Sequence, residues 1–148
     1  MVQKRNRLPV VLDTNIFITR WLRHNPQGAN RRVYDLWRER RELQLIVSEP
    51  IILEYTQILL RFGKDAAYVA MLEHRLRTAS NVTYVNLGTR FNLCRDPKDN
   101  MLLDTAFAGQ AQFLISNDKD LLDIPATDLH GLRFEILRPP TFLDNLGF

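Results

Sequence analysis

Cysteine and long apolar runs are almost absent from this chain of 148 residues. Cys94 is the only cysteine, so no disulfide can form within the chain, which fits a reducing compartment such as the cytoplasm. No apolar run approaches the roughly 20 residues that a membrane-spanning helix requires. The basic segment 1–7 precedes a short apolar run that contains Asp13, which is not the pattern of a signal peptide. We therefore expect a cytoplasmic protein that does not enter a membrane.

Histidine is scarce as well, and sequence repeats are missing. The three histidines, His24, His74 and His130, form no metal-ligand pattern, and we interpret them as structural or surface residues. No internal repeat, low-complexity segment or interdomain linker is visible, and hydrophobic residues make up 45% of the chain. Residues 1–148 are therefore expected to form a single soluble domain with one substantial core.

Positive charge is concentrated near the start of the chain, although the formal net charge is only +3. The basic residues of this first part are Lys4, Arg5, Arg7, Arg20, Arg23, Arg31, Arg32, Arg38, Arg40 and Arg41. Such a segment could neutralise the phosphates of a nucleic acid. A solvated helix face explains the same arginines equally well.

The hydrophobic pattern predicts five short strands, at residues 10–12, 43–47, 82–85, 113–116 and 134–137. Helices are predicted between them, at about 31–40, at 49–61, from 65 past 76, from 99 or 100 to 107, at 119–122 and from 141. We expect Asn30 and Ser48 to cap their helices, residues 88–98 to be irregular, and Pro139-Pro140 to form an extended exit. This alternation predicts a parallel sheet covered by helices on both faces.

Acidic residues recur at the ends of these predicted elements. Asp13 follows the first strand, Asp118 and Asp120 follow the fourth, and Asp96 and Asp99 stand at a helix start. Each of these could simply cap a helix. Together they suggest a site, because the carboxyl ends of parallel strands are where open α/β sheets bind their ligands.

Glu54 lies at the border of the apolar face of the second predicted long helix. Its i−4 neighbour is Pro50 and its i+3 neighbour is Gln57, so its own helix offers no basic partner. A partly desolvated carboxylate is costly without one. An arginine from elsewhere or a metal ion must therefore satisfy it.

Convergence of these carboxylates would require a compensating positive charge. Two carboxylates 4 Å apart repel by about 4 kcal/mol at an effective dielectric constant near 20. Oxygen ligands alone favour Mg²⁺ or Mn²⁺ over zinc. A site of this kind with basic surroundings suits cleavage of a phosphodiester bond, because the metal activates water and stabilises charge on the phosphate.

Four motifs of the chain resemble those of PIN-domain ribonucleases, and the resemblance is closest to the VapC-like toxins of toxin–antitoxin pairs. The motifs are Val10-Val11-Leu12-Asp13-Thr14-Asn15, Ser48 to Glu54, Asp96 to Asn100 and Leu114 to Leu121. The resemblance implies a three-layer αβα sandwich with a five-stranded parallel sheet and a Mg²⁺- or Mn²⁺-dependent endoribonuclease. Its acidic quartet corresponds to Asp13, Glu54, Asp99 and Asp118. The polar supporting positions of the family correspond to Asn15 and Ser116, and threonine is usual at the position of Ser116. The neighbouring acids Asp96 and Asp120 could share metal contacts.

The resemblance also implies a mechanism and partners. Asp13, Asp99 and Glu54 would hold one metal, while Asp118 would bind a second metal or position the attacking water. RNA would be cut to leave a 5′-phosphate and a 3′-hydroxyl, and the first and fourth strands would be neighbours. An antitoxin protein and a homodimer are further expected partners. The apolar residues Ile51, Ile52, Tyr55, Leu59 and 69–76 could form the dimer contact or pack on the sheet.

Two alternatives remain at this point. The chain could be a catalytically inactive PIN-like module that binds RNA or protein, although an intact acidic quartet argues against this. A phosphatase or phosphotransferase with Asp13 as nucleophile is a weaker rival, because haloacid-dehalogenase-like enzymes have a second aspartate where this chain has Asn15.

Overall fold

The computed structural model describes residues 6–22, 27–88, 96–125, 127–129 and 131–147. Within these ranges the chain forms five strands: β1 (Leu8–Leu12), β2 (Leu43–Val47), β3 (Val82–Tyr84), β4 (Phe113–Ile115) and β5 (Glu135–Leu137). The helices are α1 (Thr14–Phe17), α2 (Ala29–Arg38), α3 (Glu49–Arg61), α4 (Ala66–Thr78), α5 (Pro97–Ala108), α6 (Lys119–Leu122) and α7 (Pro139–Leu146), with a 3-10 helix at Ile18–Trp21. Cys94, His24, His130 and most of the predicted irregular segment 88–98 lie outside the described residues.

The five strands form one parallel sheet in the order β3-β2-β1-β4-β5. Helices cover both of its faces, which confirms the predicted αβα sandwich. β2 and then β3 are added on one side of β1, and β4 and then β5 are added on the other side. β1 and β4 are therefore neighbours at the point where the strand order reverses, and Leu12 is paired with Ile115 there.

The core lies on both sides of the three inner strands. Val10, Val11 and Leu12 of β1 are fully buried, and Leu114 and Ile115 of β4 are fully buried beside them. Continuous burial along a strand is typical of a parallel sheet that helices cover on both faces. This packing makes the carboxyl end of β1 a rigid base for whatever follows it.

Helix α2 begins earlier than predicted, at Ala29, and Gly28 rather than Asn30 is its N-cap. The Asn30 side chain instead accepts a hydrogen bond at 2.9 Å from Nδ2 of Asn117, which follows β4. Ser48 does occupy the N-cap position of α3, but its hydroxyl makes no capping hydrogen bond. Ser48 instead forms a hydrogen bond with Thr105 of α5. In both cases the side chain predicted to cap a helix contacts a residue far away in the sequence.

Two helices begin at prolines rather than after them. Helix α5 starts at Pro97, with the Asp96 side chain accepting a hydrogen bond from the Lys98 amide at 3.0 Å. Helix α7 starts at Pro139, so the predicted extended exit is wrong. Proline fits the first turn of a helix because its missing N–H has no partner to lose there.

The apolar residues considered for a dimer contact are buried within the chain. Ile51, Ile52, Tyr55, Leu59, Val69, Leu72 and Leu76 are each at most 5% exposed. They belong to the core of the chain, in line with the alternative of packing on the sheet, whereas Met71 of the same segment is 48% exposed. None of the helices in the described ranges is both long enough and apolar enough to cross a bilayer.

Candidate metal centre

Asp13 is held at the end of β1 by contacts to the neighbouring strand β4 and to the helix α1 that follows it. Its backbone N–H donates to the carbonyl of Ile115 in β4 at 3.0 Å. Its Oδ1 caps α1 by accepting a hydrogen bond from the Thr14 amide at 2.6 Å. The expected capping role is therefore real, and it occupies only one of the two carboxylate oxygens.

Ser116 connects the residues that follow β1 and β4. Its hydroxyl is fully buried and donates to Oδ2 of Asp13 at 2.6 Å. The Oγ atom of Ser116 in turn accepts a hydrogen bond from the Asp118 amide at 2.9 Å. One hydroxyl thus fixes the orientation of Asp13 and the backbone position of Asp118.

Asp99 lies in the first turn of α5 and is only 6% exposed. Its Oδ2 atom is buried and has no hydrogen-bond partner in the part of the chain that the structure describes. Carboxylate oxygens of Asp99, Asp118 and Asp120 lie within 4.8 Å of one another, and we call these three residues the acidic cluster. An all-oxygen donor set with an unsatisfied buried oxygen fits a hard divalent cation such as Mg²⁺ or Mn²⁺.

The pKa values of the two most buried site carboxyls reflect this crowding. Burial raises the pKa of Asp13 above its ordinary value, although the hydrogen bonds from Ser116 and Thr14 act against the rise. Burial, followed by the charge of Asp118, raises the pKa of Asp99 to about 7. Both shifts show that added negative charge is disfavoured here, which a bound cation would reverse.

Glu54 projects from α3 toward the same edge, with a side chain that is 19% exposed. As the sequence indicated, its own helix supplies no cation, and its ionic partner is Lys98 of α5, whose Nζ lies 3.7 Å from Oε1. The negative charge of Glu54 contributes to the raised pKa of Asp13, so the two carboxylates are close enough to interact. Neither residue belongs to the acidic cluster, which lies at the N-terminal ends of α5 and α6.

The remaining predicted site residues are more exposed. Asn15 is exposed, and its side chain makes no hydrogen bond to a described residue. Asp96 is exposed and caps α5. Asp120 is exposed within the acidic cluster, where its amide donates to Oδ1 of Asp118 at 2.9 Å.

Tyr55 supports the site, although its apolar pattern predicted only a dimer contact or packing on the sheet. Its buried hydroxyl donates to the carbonyl of Leu12, the residue before Asp13. Its ring stacks on Phe17 of α1, with ring centroids 4.0 Å apart. A phenol on the buried face of a helix, next to Glu54, was the available signal, because a buried tyrosine hydroxyl usually finds a partner.

Three further polar residues are buried: Ser48, which was predicted only as a cap of α3, and Asp104 and Thr105 of α5, which were not among the predicted site residues. The hydroxyls of Ser48 and Thr105 lie 2.8 Å apart in the core. Thr105 donates to the carbonyl of Met101, so Ser48 is the donor in this pair, and the bond joins the start of α3 to α5. Asp104, which helical spacing separates from the face of Asp99, is 4% exposed.

The basic residues are divided between the two edges of the sheet. Arg40 and Arg41 lie before the start of β2 and therefore at the edge opposite the carboxylates, about 16 Å away along a five-residue strand. Lys98 and Lys119 belong to the helices that carry the acidic cluster. Of the two interpretations of the early arginines, the solvated surface therefore fits Arg40 and Arg41 better than phosphate binding beside the carboxylates.

Comparison with known proteins supplies independent information. A family model described as PIN domain matches residues 9–120. An uncharacterized protein of Methanocaldococcus jannaschii, MJ1680, is 26% identical over 146 residues, covering 93% of this chain and 91% of that protein. The crystal structure of PAE2754 from Pyrobaculum aerophilum has a TM-score of 0.53 and 16% identity, covering 95% of this chain and 90% of that chain, and shows the fold alone.

Proposed function

Because the chain belongs to the PIN-domain family, whose members are generally nucleases that use divalent metal, we propose that it is a Mg²⁺- or Mn²⁺-dependent endoribonuclease. The observation that supports this most strongly is Asp99, whose buried carboxylate oxygen has no partner among the described residues. Native proteins rarely leave such an atom unsatisfied unless a ligand completes it. A bound cation would complete it.

The proposed ligands are Asp13, Glu54 and Asp99 for one ion, with Asp118 binding a second ion or positioning the attacking water. A bound ion would supply an activated water and stabilise charge on the transferring phosphate. Ser116 keeps the carboxylate of Asp13 turned toward the site, since its hydroxyl holds Oδ2 at 2.6 Å. Lys98, which pairs with Glu54, would contact a backbone phosphate of the RNA.

The direct test is cleavage of labelled RNA with and without Mg²⁺ or Mn²⁺. We expect metal-dependent cutting that leaves a 5′-phosphate and a 3′-hydroxyl. Asp13→Asn and Asp99→Asn should each lower the rate by at least about 100-fold, because each removes a charged ligand of the ion. Glu39→Gln, at an exposed position after α2 and away from the acidic edge, is the control and should match the parent.

Two results would contradict the assignment. Equal activity of Asp13→Asn, Asp99→Asn and the parent would exclude the proposed metal ligands. Metal binding without cleavage of structured or unstructured RNA would instead favour a PIN-like module that binds RNA or protein.

We also propose that the nuclease acts as the toxin of a toxin–antitoxin pair. Induced synthesis of the parent should arrest growth of a host cell, whereas Asp13→Asn should not. A small adjacent open reading frame whose product restores growth would identify the antitoxin. Growth arrest by Asp13→Asn equal to that of the parent would contradict a toxic effect through RNA cleavage.

A further inference from the structure

A groove between α3 and α5 opens beside the proposed metal ligands. It has a volume of about 270 Å³ and is lined mainly by Leu53, Glu54, Gln57, Arg61, Lys98 and Met101. We call it the α3–α5 groove. From Glu54 it runs along α3 to Arg61, about 10 Å farther at 1.5 Å per residue. Any chain that passes Glu54 in this direction would lie in the groove.

The charges of the α3–α5 groove suit a polyanion. Lys98 lies at the end near the acidic cluster, and its Nζ contacts Glu54 at 3.7 Å. Arg61 lies at the other end, is exposed, and forms no ion pair with a described residue. Two cations therefore line a path that begins at the proposed cleavage site, which is the arrangement that backbone phosphates require.

The wall between these cations is apolar. Leu53 is 44% exposed despite being large and hydrophobic, and Met101 is half-buried across the groove. Gln57 adds one amide that can both donate and accept a hydrogen bond. Apolar surface beside phosphate-binding cations fits an unpaired nucleobase, whereas the bases of a duplex are stacked and cannot reach such a wall.

We propose that the α3–α5 groove binds the nucleotide next to the scissile phosphate of single-stranded RNA, with its base against Leu53 and Met101 and a phosphate on Arg61. This inference rests on the proposed function, because it takes the cleaved bond to lie at the carboxylates. The aliphatic wall accepts any base, so the groove contributes affinity for unpaired RNA and little discrimination between bases.

The test measures binding separately from cleavage. Fluorescence anisotropy of a labelled single-stranded oligoribonucleotide is recorded in EDTA, so that no RNA is cut. Arg61→Gln is compared with Arg75→Gln, which removes an exposed arginine of α4 outside the groove. Leu53→Gln is compared with Leu60→Gln, whose leucine is 47% exposed on the same helix but does not line the groove.

We expect Arg61→Gln to bind about tenfold more weakly, the loss typical of one hydrogen bond to a charged group. The slope of log affinity against log salt concentration should fall by about 0.7, as one phosphate contact is lost. Leu53→Gln should weaken binding several-fold without changing that slope. Both control variants should bind as the parent does, and a duplex of the same sequence should not distinguish the four variants.

RNA affinity that is the same in the groove variants and their controls would overturn the inference, and a protein segment would then be the better occupant. Dependence of binding on Arg61 and Leu53 in a protein that cuts no RNA would support the groove while contradicting the proposed cleavage. Metal-dependent cleavage with unaffected binding in the groove variants would contradict the groove alone. The two proposals can therefore fail separately.

Discussion

At the scale of single residues, Asp99 has the most unfavourable environment in the site. Its side chain is buried, one oxygen lacks a partner among the described residues, and Asp118 adds negative charge beside it. Without a cation the carboxyl keeps its proton to near neutral pH, because its pKa is raised from 3.8 to about 7. The metal-free protein therefore contains a buried carboxyl group whose effect on the free energy of unfolding depends on pH.

The first prediction concerns that pH dependence. Since the folded pKa of Asp99 lies above its ordinary value of 3.8, the folded state retains a proton that the unfolded chain has released. Titration of Asp99 therefore leaves the free energy of unfolding unchanged below about pH 4. As the pH rises toward 7, it lowers that free energy by up to about 1.4 kcal/mol per pH unit. In EDTA, Asp99→Asn should lack this loss, so its advantage over the parent should grow across that range in urea unfolding. Parallel curves for parent and variant would contradict the assignment.

A second prediction concerns Tyr55, whose hydroxyl supports the residue before Asp13. Burial raises the pKa of the Tyr55 phenol well above its ordinary value, so it remains a donor throughout the neutral range. Tyr55→Phe should cost about 1–3 kcal/mol of unfolding free energy, because the Leu12 carbonyl stays buried without its partner. It should also weaken stabilisation by Mg²⁺, measured as the shift in melting temperature.

Tyr84→Phe is the matched control for this change. Tyr84 also donates from its hydroxyl, but to Glu49 at an exposed position, at 3.0 Å. Its loss should change stability by no more than about 0.5 kcal/mol and leave the effect of Mg²⁺ intact. Equal effects of the two variants on the Mg²⁺ response would show that Tyr55 does not position the site.

At the scale of elements, the end of α5 is packed closely against β2. Gly109 follows the helix, and a Cβ built there would lie 2.3 Å from Cγ2 of Ile46 and 3.3 Å from the Thr105 carbonyl oxygen. Ile46 is buried in the sheet and is β-branched, so its methyl group cannot easily move away. Glycine at this position sets the distance between α5, which carries Asp99, and the sheet.

The third prediction follows from that close approach. Gly109→Ala should destabilise the protein by about 1–3 kcal/mol, the usual cost of overpacking a well-filled core. Gly88→Ala is the control, since a Cβ there meets nothing within 4 Å. Urea unfolding monitored by far-UV circular dichroism measures both variants. A loss for Gly109→Ala no larger than that for Gly88→Ala would show that the helix shifts to accommodate the methyl group.

Local signals in the sequence were sufficient for some elements and not for others. The predicted bounds of β2, α3 and α6 match the structure, because apolar pattern and flanking residues agree there. The start of α2 was misplaced because Asn30 bonds Asn117 instead of capping, a contact between residues 87 positions apart. Hydrogen bonds of this range, including those of Ser116 and Tyr55, depend on the finished fold and leave no periodic pattern.

At the scale of the whole molecule, the site could be anticipated because topology alone assigns its edge. Any residue that directly follows a strand of a parallel sheet lies at the carboxyl edge, which predicts a common edge for Asp13 and Asp118. That β1 and β4 are neighbours was implied only by the family resemblance. The same rule puts Arg40 and Arg41, which precede β2, at the opposite edge. Charge clustering along the sequence was the weaker guide, because it ignores the direction of the strands.

The fourth prediction is that the chain unfolds as one unit, as expected if residues 1–148 form a single domain. All five described strands belong to one sheet, so no part of it can be lost without exposing the edge of another strand. Urea transitions followed by tryptophan fluorescence, from Trp21 and Trp37, and by circular dichroism should coincide. Separate transitions would indicate two independently stable parts.

The position of β4 beside β1 has a consequence for how the protein is made. Ser116 and Asp13 are 103 residues apart in the chain, yet their contact closes the site. Until residues 113–115 leave the ribosome, one hydrogen-bonding edge of β1 has no partner, although β1 becomes the middle of the sheet. A newly synthesised chain therefore has no assembled site until β4 has emerged, and β4 covers an aggregation-prone edge of β1 and completes the site in the same step.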